Sequence, residues 1–402
     1  MQIQIPQEVE EIIGKLKNHG YEAYAVGGCV RDTLLGREPG DWDITTSAAP
    51  QQVKEVFPKT IDTGIQHGTV TIMINHVGYE VTTYRIDGEY EDGRHPKSVE
   101  FTSSLKEDLR RRDFTINAMA YSHETGIVDE FGGMEDLEQK VIRCVGCAVD
   151  RFTEDALRIL RAIRFAAQLG FEIERETFDA IKKIAPNLVH VSKERIQTEL
   201  TKLLLSPNPE KIGLVYETGI SRYVSDAFHK VDRSRMRIDS ALEKKKHIRW
   251  AAFLKNTSVQ EADAVLHDLK LDNDTINKVK VLVKWFEHPL KPDKTELRRM
   301  MSRMDSSLYD DLLELKKMSS PEVQCLEELI TVGELSADIR ENGDCVKLKD
   351  LAVSGSDVIQ AGVKPGKAVG EVLNRLLEMV LEEPSRNEKE YLTDQIKKIS
   401  FS

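Results

Sequence analysis

Apolar residues recur at helical spacing from Val9 to Leu16, and the pattern ends near Gly20. Ala23-Tyr24-Ala25-Val26 reads as a short buried strand. Gly27-Gly28 turns the chain into a helix from Val30 to Leu35, stopped by Gly36. Trp42 to Ile44 reads as a second strand, and Gln51 to Phe57 as a helix opened by Pro50. Thr69 to Ile74 and Tyr79 to Tyr84 are β-rich runs around Asn75-His76-Val77-Gly78, a hairpin signal. Asp87 to Lys97 is polar, carries Gly and Pro, and has no apolar period, so it reads as a mobile loop. Beyond about residue 150 the strand signals vanish. Phe152–Leu169, Arg175–Ile184, Glu194–Leu205, Glu261–Leu269, Asp274–Phe286, Ser307–Lys317 and Val369–Leu381 all have the amphipathic helical period. The pattern predicts an α+β N-terminal part with a small mixed or antiparallel sheet, followed by an all-helical remainder. No internal repeat or low-complexity segment interrupts it.

A chain of 402 residues exceeds one typical core and predicts two to four structural units. Hydrophobic residues make up 40% and charged residues 31%, a globular composition with no apolar run of bilayer length, so no membrane partner is expected. The start, Met1-Gln2-Ile3-Gln4-Ile5-Pro6, lacks the basic and apolar parts of a signal peptide. Five cysteines, an odd and small number, fit a reducing compartment, and a cytoplasmic location is expected. The net charge of −11 argues against a nucleic-acid partner by itself, because phosphate binding needs clustered Lys and Arg. Local clusters do exist, at Arg110-Arg111-Arg112, Arg158/Arg161/Arg164, Lys182-Lys183, Lys193/Arg195 and Lys244-Lys245-Lys246. An acidic body with one basic groove remains open.

Chemistry enters with Asp41-Trp42-Asp43. On a strand, side chains two apart share a face, about 6.5 Å apart along the chain. Two such carboxylates can bridge two hard cations about 4 Å apart, which activate an attacking hydroxyl and stabilise leaving pyrophosphate. Mg²⁺ favours a few carboxylates plus phosphate oxygens. A bare D-x-D is equally a solvated strand end, and a bare Gly-Gly is equally a tight turn. Together they say more. Gly28 lets backbone approach a triphosphate, the helix start offers free N–H groups, and Arg31 on its first turn can reach the same phosphates. Strand, Gly-Gly, helix with Arg and D-x-D all fall within about twenty residues. Glu80 opens a later strand; a third metal carboxylate and an exposed strand Glu are equally good readings of it.

These residues also carry a family resemblance. Val26 to Arg37 (V-G-G-C-V-R-D-T-L-L-G-R), followed by Gly40-Asp41-Trp42-Asp43-Ile44, resembles the first motif of the class II tRNA nucleotidyltransferases, which include the bacterial CCA-adding enzymes and the poly(A) polymerases. Trp42 departs from the smaller residue or Phe usual there. The likeness continues through Arg111 to Ala120 (R-R-D-F-T-I-N-A-M-A), Arg151 to Arg158 (R-F-T-E-D-A-L-R), Arg161 to Phe165, and Ser192-Lys193-Glu194-Arg195-Ile196 with Glu199-Leu200. Lys349 to Gly355 and Gly362 to Gly366 resemble the tail of the CCA-adding branch. The resemblance implies a nucleotidyltransferase head over 1–145, a helical neck over 146–205 for nucleotide selection, a helical body over 206–335 and a helical, tRNA-binding tail over 336–402. It implies Asp41 and Asp43 as catalytic metal ligands, Mg²⁺ as cofactor, ATP and CTP as donors, and the acceptor and T arms of tRNA as the RNA partner, gripped by a monomer or homodimer.

Within that family nucleotides are chosen without a nucleic-acid template. Asp155 and Arg158 are three apart on the predicted helix and would share a face. Cytosine and adenine both present an amino donor beside a ring-nitrogen acceptor, whereas uracil and guanine present the reverse. An Asp accepting from the amino group and an Arg donating to the ring nitrogen would take C and A. A wrong base leaves buried groups facing like partners, at about 1–3 kcal/mol per group. Without the flanking motif, the same pair reads as an i,i+3 salt bridge. The resemblance assigns Arg161 and Arg164 to the triphosphate or the RNA, and Arg112 with Asp113 to sugar and phosphates.

Two other signals carry less. Cys144-x-x-Cys147 lacks a second ligand pair for zinc, and His267-Asp268 lacks the further ligands of an HD phosphohydrolase. Among functions, full CCA addition competes with A-adding, CC-adding and poly(A)-polymerase relatives, and with an RNA-binding protein on a decayed transferase fold. Asp62 to Val70 (D-T-G-I-Q-H-G-T-V), the loop Asp87 to Pro96 and the tail favour CCA addition. Intact Asp41, Asp43 and Arg158 oppose decay.

Overall fold

The computed structural model describes residues 2–88, 99–232, 238–320 and 322–400. The chain divides into two compact units, one formed by Met1–Lys230 with His267–Leu271 and the other by Val231–Leu266 with Asp272–Ser402. The first unit holds the sheet. Helix α1 (Gln7–Asn18) buries Val9, Ile12, Ile13 and Leu16, the i, i+3, i+4, i+7 stripe that predicted it. Each such side chain contributes about 1.5–3 kcal/mol of burial. Strand β1 (Ala23–Val26) is buried along its whole length. It leads through Gly27 into α2 (Gly28–Leu34). Next come β2 (Ile44–Thr46), α3 (Pro50–Val56), β3 (Thr60–Gly64), β4 (Thr69–Ile74) and β5 (Val77–Thr83). A two-stranded ribbon, β6 (Arg85–Asp87) with β7 (Val99–Phe101), precedes α4 (Leu105–Arg110), β8 (Met119–Ser122) and β9 (Gly126–Asp129).

Seven strands form one sheet in the order β3-β4-β5-β2-β1-β8-β9. It is mixed because β2 runs parallel to β5 (Ile44 opposite Val81) and antiparallel to β1 (Ala25 opposite Ile44). The predicted α+β head and helical remainder are therefore found, with local differences. The second strand begins at Ile44, not Trp42, so Asp41 and Asp43 lie on the extended chain just before it. All three of its residues are buried, and the polarity of two of them, Thr45 and Thr46, hid the strand. Their hydroxyls are satisfied, Thr45 Oγ1 at Asp108 Oδ2 (3.1 Å) and Thr46 Oγ1 at the Glu22 carbonyl. Strand β3 gave no alternation because it is a largely exposed edge. The expected loop starts one residue late, since Asp87 is in β6. Residues 89–97 of that loop lie outside the described residues.

The expected helix Phe152–Leu169 is two helices, α6 (Ala148–Glu154) and α7 (Leu157–Leu169), after α5 (Gly133–Gln139) and β10 (Val141–Ile142). Asp155 between them is extended, at φ −139° and ψ 102°. A two-residue strand, β11 (Glu172–Ile173), pairs with β10, so the chain beyond residue 150 is not wholly helical. Helix α8 (Arg175–Ile184) has its predicted bounds, and α9 (Lys193–Leu204) is one residue early.

In the second unit, Asn273–Phe286, Ser306–Ser319 and Lys367–Glu382 match their predicted helices to within about two residues. The helix Val323–Glu341 has no readable period, because Val323 and Ile330 are exposed while Leu329, Val332 and Ile339 are buried. Residues between Cys345 and Ile396 close a hydrophobic core of their own.

Candidate active site

The site begins at the turn between β1 and α2. Gly27 sits at φ 83° and ψ −129°, a conformation other residues rarely adopt. A Cβ there would lie 2.9 Å from Arg112 Nη1, so the missing side chain is also what lets Arg112 lie against the turn. Gly28 opens α2, whose first N–H groups have no helical acceptor of their own. Asp41 and Asp43 approach this turn from the other side, and Val26 N donates to the Asp43 carbonyl at 3.0 Å.

The two carboxylates are open to solvent. Even so, the surrounding protein and the charge of Asp41 raise the pKa of Asp43, with Glu80 adding to the rise and Arg112 opposing it. The parallel register explains Glu80: Ile44 faces Val81, so one residue earlier Asp43 faces Glu80. A cation here would relieve repulsion the chain builds in, and an all-oxygen donor set suits a hard divalent ion. Among the described residues no group of three or more His, Cys, Asp or Glu is drawn together tightly enough to hold a metal alone. The candidate donors are the predicted pair, with Glu80 beside it.

Arg112 is fixed from behind. Asp108, wholly buried on α4, faces Arg112 Nη2 at 3.5 Å and accepts from Arg111 Nε and Nη2 at 3.0 and 2.8 Å. Burial works against the charge of Asp108, but Arg111 and Arg112 outweigh it and hold the carboxyl below its usual range. The Arg112 Nε is buried without a hydrogen-bond partner.

A second network runs from the turn into α7. Arg31, expected to reach the phosphates, is 7% exposed and instead donates to Asn117 Oδ1 and pairs with Asp32. Asn117 Nδ2 donates to Asp113 Oδ1 at 3.1 Å, and Asp113 Oδ2 accepts from Arg161 Nε and Nη2 at 2.8 and 2.6 Å. Asp113, read as a sugar ligand, is therefore committed inside the protein. Arg164 is buried too, donating to Glu199 Oε2 at 2.7 Å with its guanidinium 3.6 Å from the Phe165 ring centre. Arg161 keeps about a third of its side chain exposed.

Asp113 supplies a pH prediction. Burial would raise its pKa, but Arg161 and the Asn117 hydrogen bond prevail and hold it far below the ordinary carboxylate range. A depressed folded pKa gives stability that is complete above the unfolded value, about 3.9, and is lost as pH falls through the folded one. Thermal melting followed by circular dichroism is expected to show the midpoint falling below about pH 4, and Asp113→Asn is expected to flatten that acid limb.

Asp155 and Arg158 do not share a helix face, because the chain breaks at Asp155. Arg158 N donates to the Asp155 carbonyl at 3.0 Å, a backbone link between the two. Asp155 Oδ1 accepts from Leu157 N at 3.0 Å and Oδ2 from Arg195 Nη2 at 2.7 Å. Arg158 Nη1 donates to Glu154 Oε2 at 2.7 Å and to the Arg151 carbonyl, and Nη2 to the Arg111 carbonyl at 3.1 Å. That last bond joins the base-reading candidates to the segment carrying Arg112. Asp108 and Glu154 were not read as site residues, Glu80 was left open between a metal carboxylate and an exposed strand Glu, and Arg195 was named only within a basic cluster and the last motif. Glu154, four before Arg158, left a local signal. Cys144 and Cys147 are free thiols, the first buried and pushed up in pKa by that burial.

Comparison with known proteins gives this arrangement its context. Residues 23–143 match the Poly A polymerase head domain, 170–229 the RNA and SrmB-binding site of polymerase A, and 242–396 the tRNA nucleotidyltransferase domain 2. The CCA-adding enzyme of Geobacillus kaustophilus is 40% identical over 94% of this chain and 93% of its own length. That of Leuconostoc mesenteroides is 36% identical over 98% and 99%. A crystal structure of the Bacillus stearothermophilus CCA-adding enzyme in complex with CTP is 35% identical, with a TM-score of 0.79 over 99% of this chain and 98% of that one. With its glycine turn and paired aspartates in place, the chain belongs to the CCA-adding enzymes of the tRNA nucleotidyltransferase/poly(A) polymerase family.

Proposed function

We propose that this protein completes the 3′ end of tRNA by adding C, C and A in turn from CTP and ATP, releasing pyrophosphate at each step, without a nucleic-acid template. The observation that carries this reading is Asp41 and Asp43 at the head of β2, beside the Gly27 turn, in a chain so similar to CCA-adding enzymes along its whole length. A divalent metal, which we take to be Mg²⁺, would be held by Asp41 and Asp43, with Glu80 in support, and supplies activation of the terminal hydroxyl and stabilisation of the leaving pyrophosphate.

The chain's own groups do the rest. The turn at Gly27-Gly28 and the start of α2 offer N–H groups to the triphosphate. Arg112, with Arg161 at the edge, brings positive charge to sugar and phosphates, and its buried Nε–H has no protein acceptor to give up. Arg31 and Arg164 support these groups from within the protein. Asp155 accepts from the amino group of C or A, and Arg158 donates to the adjacent ring nitrogen. The head, neck, body and tail divide as 1–145, 146–205, 206–335 and 336–402, with the last two gripping acceptor and T arms by shape and backbone contact. The protein works in the cytoplasm as a monomer or homodimer.

The test is direct. tRNA lacking its 3′ end is incubated with Mg²⁺ and labelled CTP or ATP, singly and together. CCA-ended product from the mixture is expected. Incorporation of A alone onto tRNA ending in CC would mark an A-adding enzyme, arrest at CC a CC-adding enzyme, and long A tails a poly(A) polymerase. No incorporation on any truncated tRNA would sink the enzymatic reading.

A further inference from the structure

Asp155 stands just before α7, and its carbonyl accepts from Arg158 N at 3.0 Å, so the backbone ties the two residues together. How the carboxylate is turned depends on the contacts of its two oxygens. On one side, Arg158 is locked by Glu154 Oε2 and by the carbonyls of Arg151 and Arg111. On the other, Asp155 meets two donors, Leu157 N on Oδ1 and Arg195 Nη2 on Oδ2. The Leu157 contact is local, an N–H two residues on, and allows the carboxylate to rotate about it. The Arg195 contact comes from α9, forty residues away in sequence, and fixes that rotation.

Helix α9 is built for this. Arg195 and Glu199 are four apart and so lie on one face. Arg195 holds the carboxylate just before α7, and Glu199 accepts from Arg164 in the body of α7, at 2.7 Å. Opposite charges one turn apart on α9 therefore match opposite charges spaced along the neck, and they set its register against the helix that begins after Asp155. A carboxylate has about four acceptor sites, and Asp155 spends two of them, one on each oxygen. Each oxygen keeps capacity for an incoming amino group.

We propose that Arg195 is a specificity-determining positioning residue: it holds Asp155 in the orientation that accepts the amino group of cytosine and adenine, and it touches neither base nor metal. This rests on the reading of Asp155 as a base-reading group, so the experiment separates the two. Arg195→Gln, Arg195→Lys and Asp155→Ala are compared with the unaltered enzyme by the ratio of kcat/KM for CTP to that for UTP on tRNA lacking its 3′ end, with Tm recorded for each. Asp155→Ala is expected to abolish the preference. Arg195→Gln is expected to lower it about tenfold, the loss of one charge-assisted hydrogen bond, and Arg195→Lys by less. If Asp155→Ala abolishes the preference while Arg195→Gln leaves it intact, or lowers CTP and UTP use by the same factor, Arg195 is only structural and the proposal fails. If Asp155→Ala leaves the preference intact, the base-reading role itself fails. The Arg195 side chain is 22% exposed, so the glutamine variant is expected to fold. Should it not, Arg195→Lys decides alone, an unchanged ratio overturning the proposal.

Discussion

Asp43→Asn is expected to reduce nucleotide addition at least about a thousandfold with both CTP and ATP, because the carboxylate proposed to hold a divalent ion is replaced by a neutral amide. Single-turnover incorporation on tRNA lacking its 3′ end measures it, and activity within about tenfold of the unaltered enzyme would remove Asp43 from the metal site. The same variant should melt higher, not lower. The folded protein raises the pKa of Asp43 through loss of water, Asp41 and Glu80, so the ionised side chain opposes folding at neutral pH and its removal relieves that. A rise in Tm together with loss of activity is the signature of a group retained for chemistry against stability. A fall in Tm would mean that Asp43 is held by contacts other than those described above.

Gly27→Ala is expected to cost about 1–3 kcal/mol of stability, from the backbone alone, since φ 83° is strained for any residue with a Cβ. Its effect on catalysis has a different origin. The new methyl would meet Arg112 Nη1 at 2.9 Å, and Arg112 is the end of a flexible side chain that can yield. Yielding carries its guanidinium away from the turn. Removal of one preorganised donor costs about a hundredfold or more, so kcat/KM should fall by that order for CTP and ATP alike. Steady-state kinetics with each nucleotide checks this. A loss confined to one nucleotide would show that the turn takes part in base choice and not only in holding phosphates.

How much of this could be read beforehand followed from the range of the contacts. The glycine turn and the helix α8 are local events: a few residues and their φ preferences decide them, and both stand where the pattern put them. Strand β2 was displaced because two of its three buried residues are threonines, made apolar in effect by hydrogen bonds to Asp108 and Glu22, which no window of sequence contains. The break at Asp155 was missed for the opposite reason. Phe152 to Leu169 has an unbroken helical period, yet Asp155 is extended, its carboxylate accepting from Leu157 N and from Arg195, forty residues on. Glu80 was left undecided until the register of β2 on β5 placed it against Asp43. The motifs pointed to the right chemistry; their partners were written elsewhere in the chain.

The line of polar groups from Arg31 through the neutral Asn117 to the alternating charges of Asp113, Arg161, Glu199 and Arg164 has a consequence for how this enzyme can change over time. Taking away one of the four charged members from Asp113 to Arg164 strands its neighbour as an unpaired charge, at about 3–5 kcal/mol where that neighbour is buried, a large part of a whole protein's stability. Inheritance should therefore treat Asp113 with Arg161, and Glu199 with Arg164, as couples. Lineages that abandon one are expected to have abandoned the other, or to carry a neutral substitute at both positions, while the exposed carboxylates of the proposed metal pair stay put for reasons of chemistry alone.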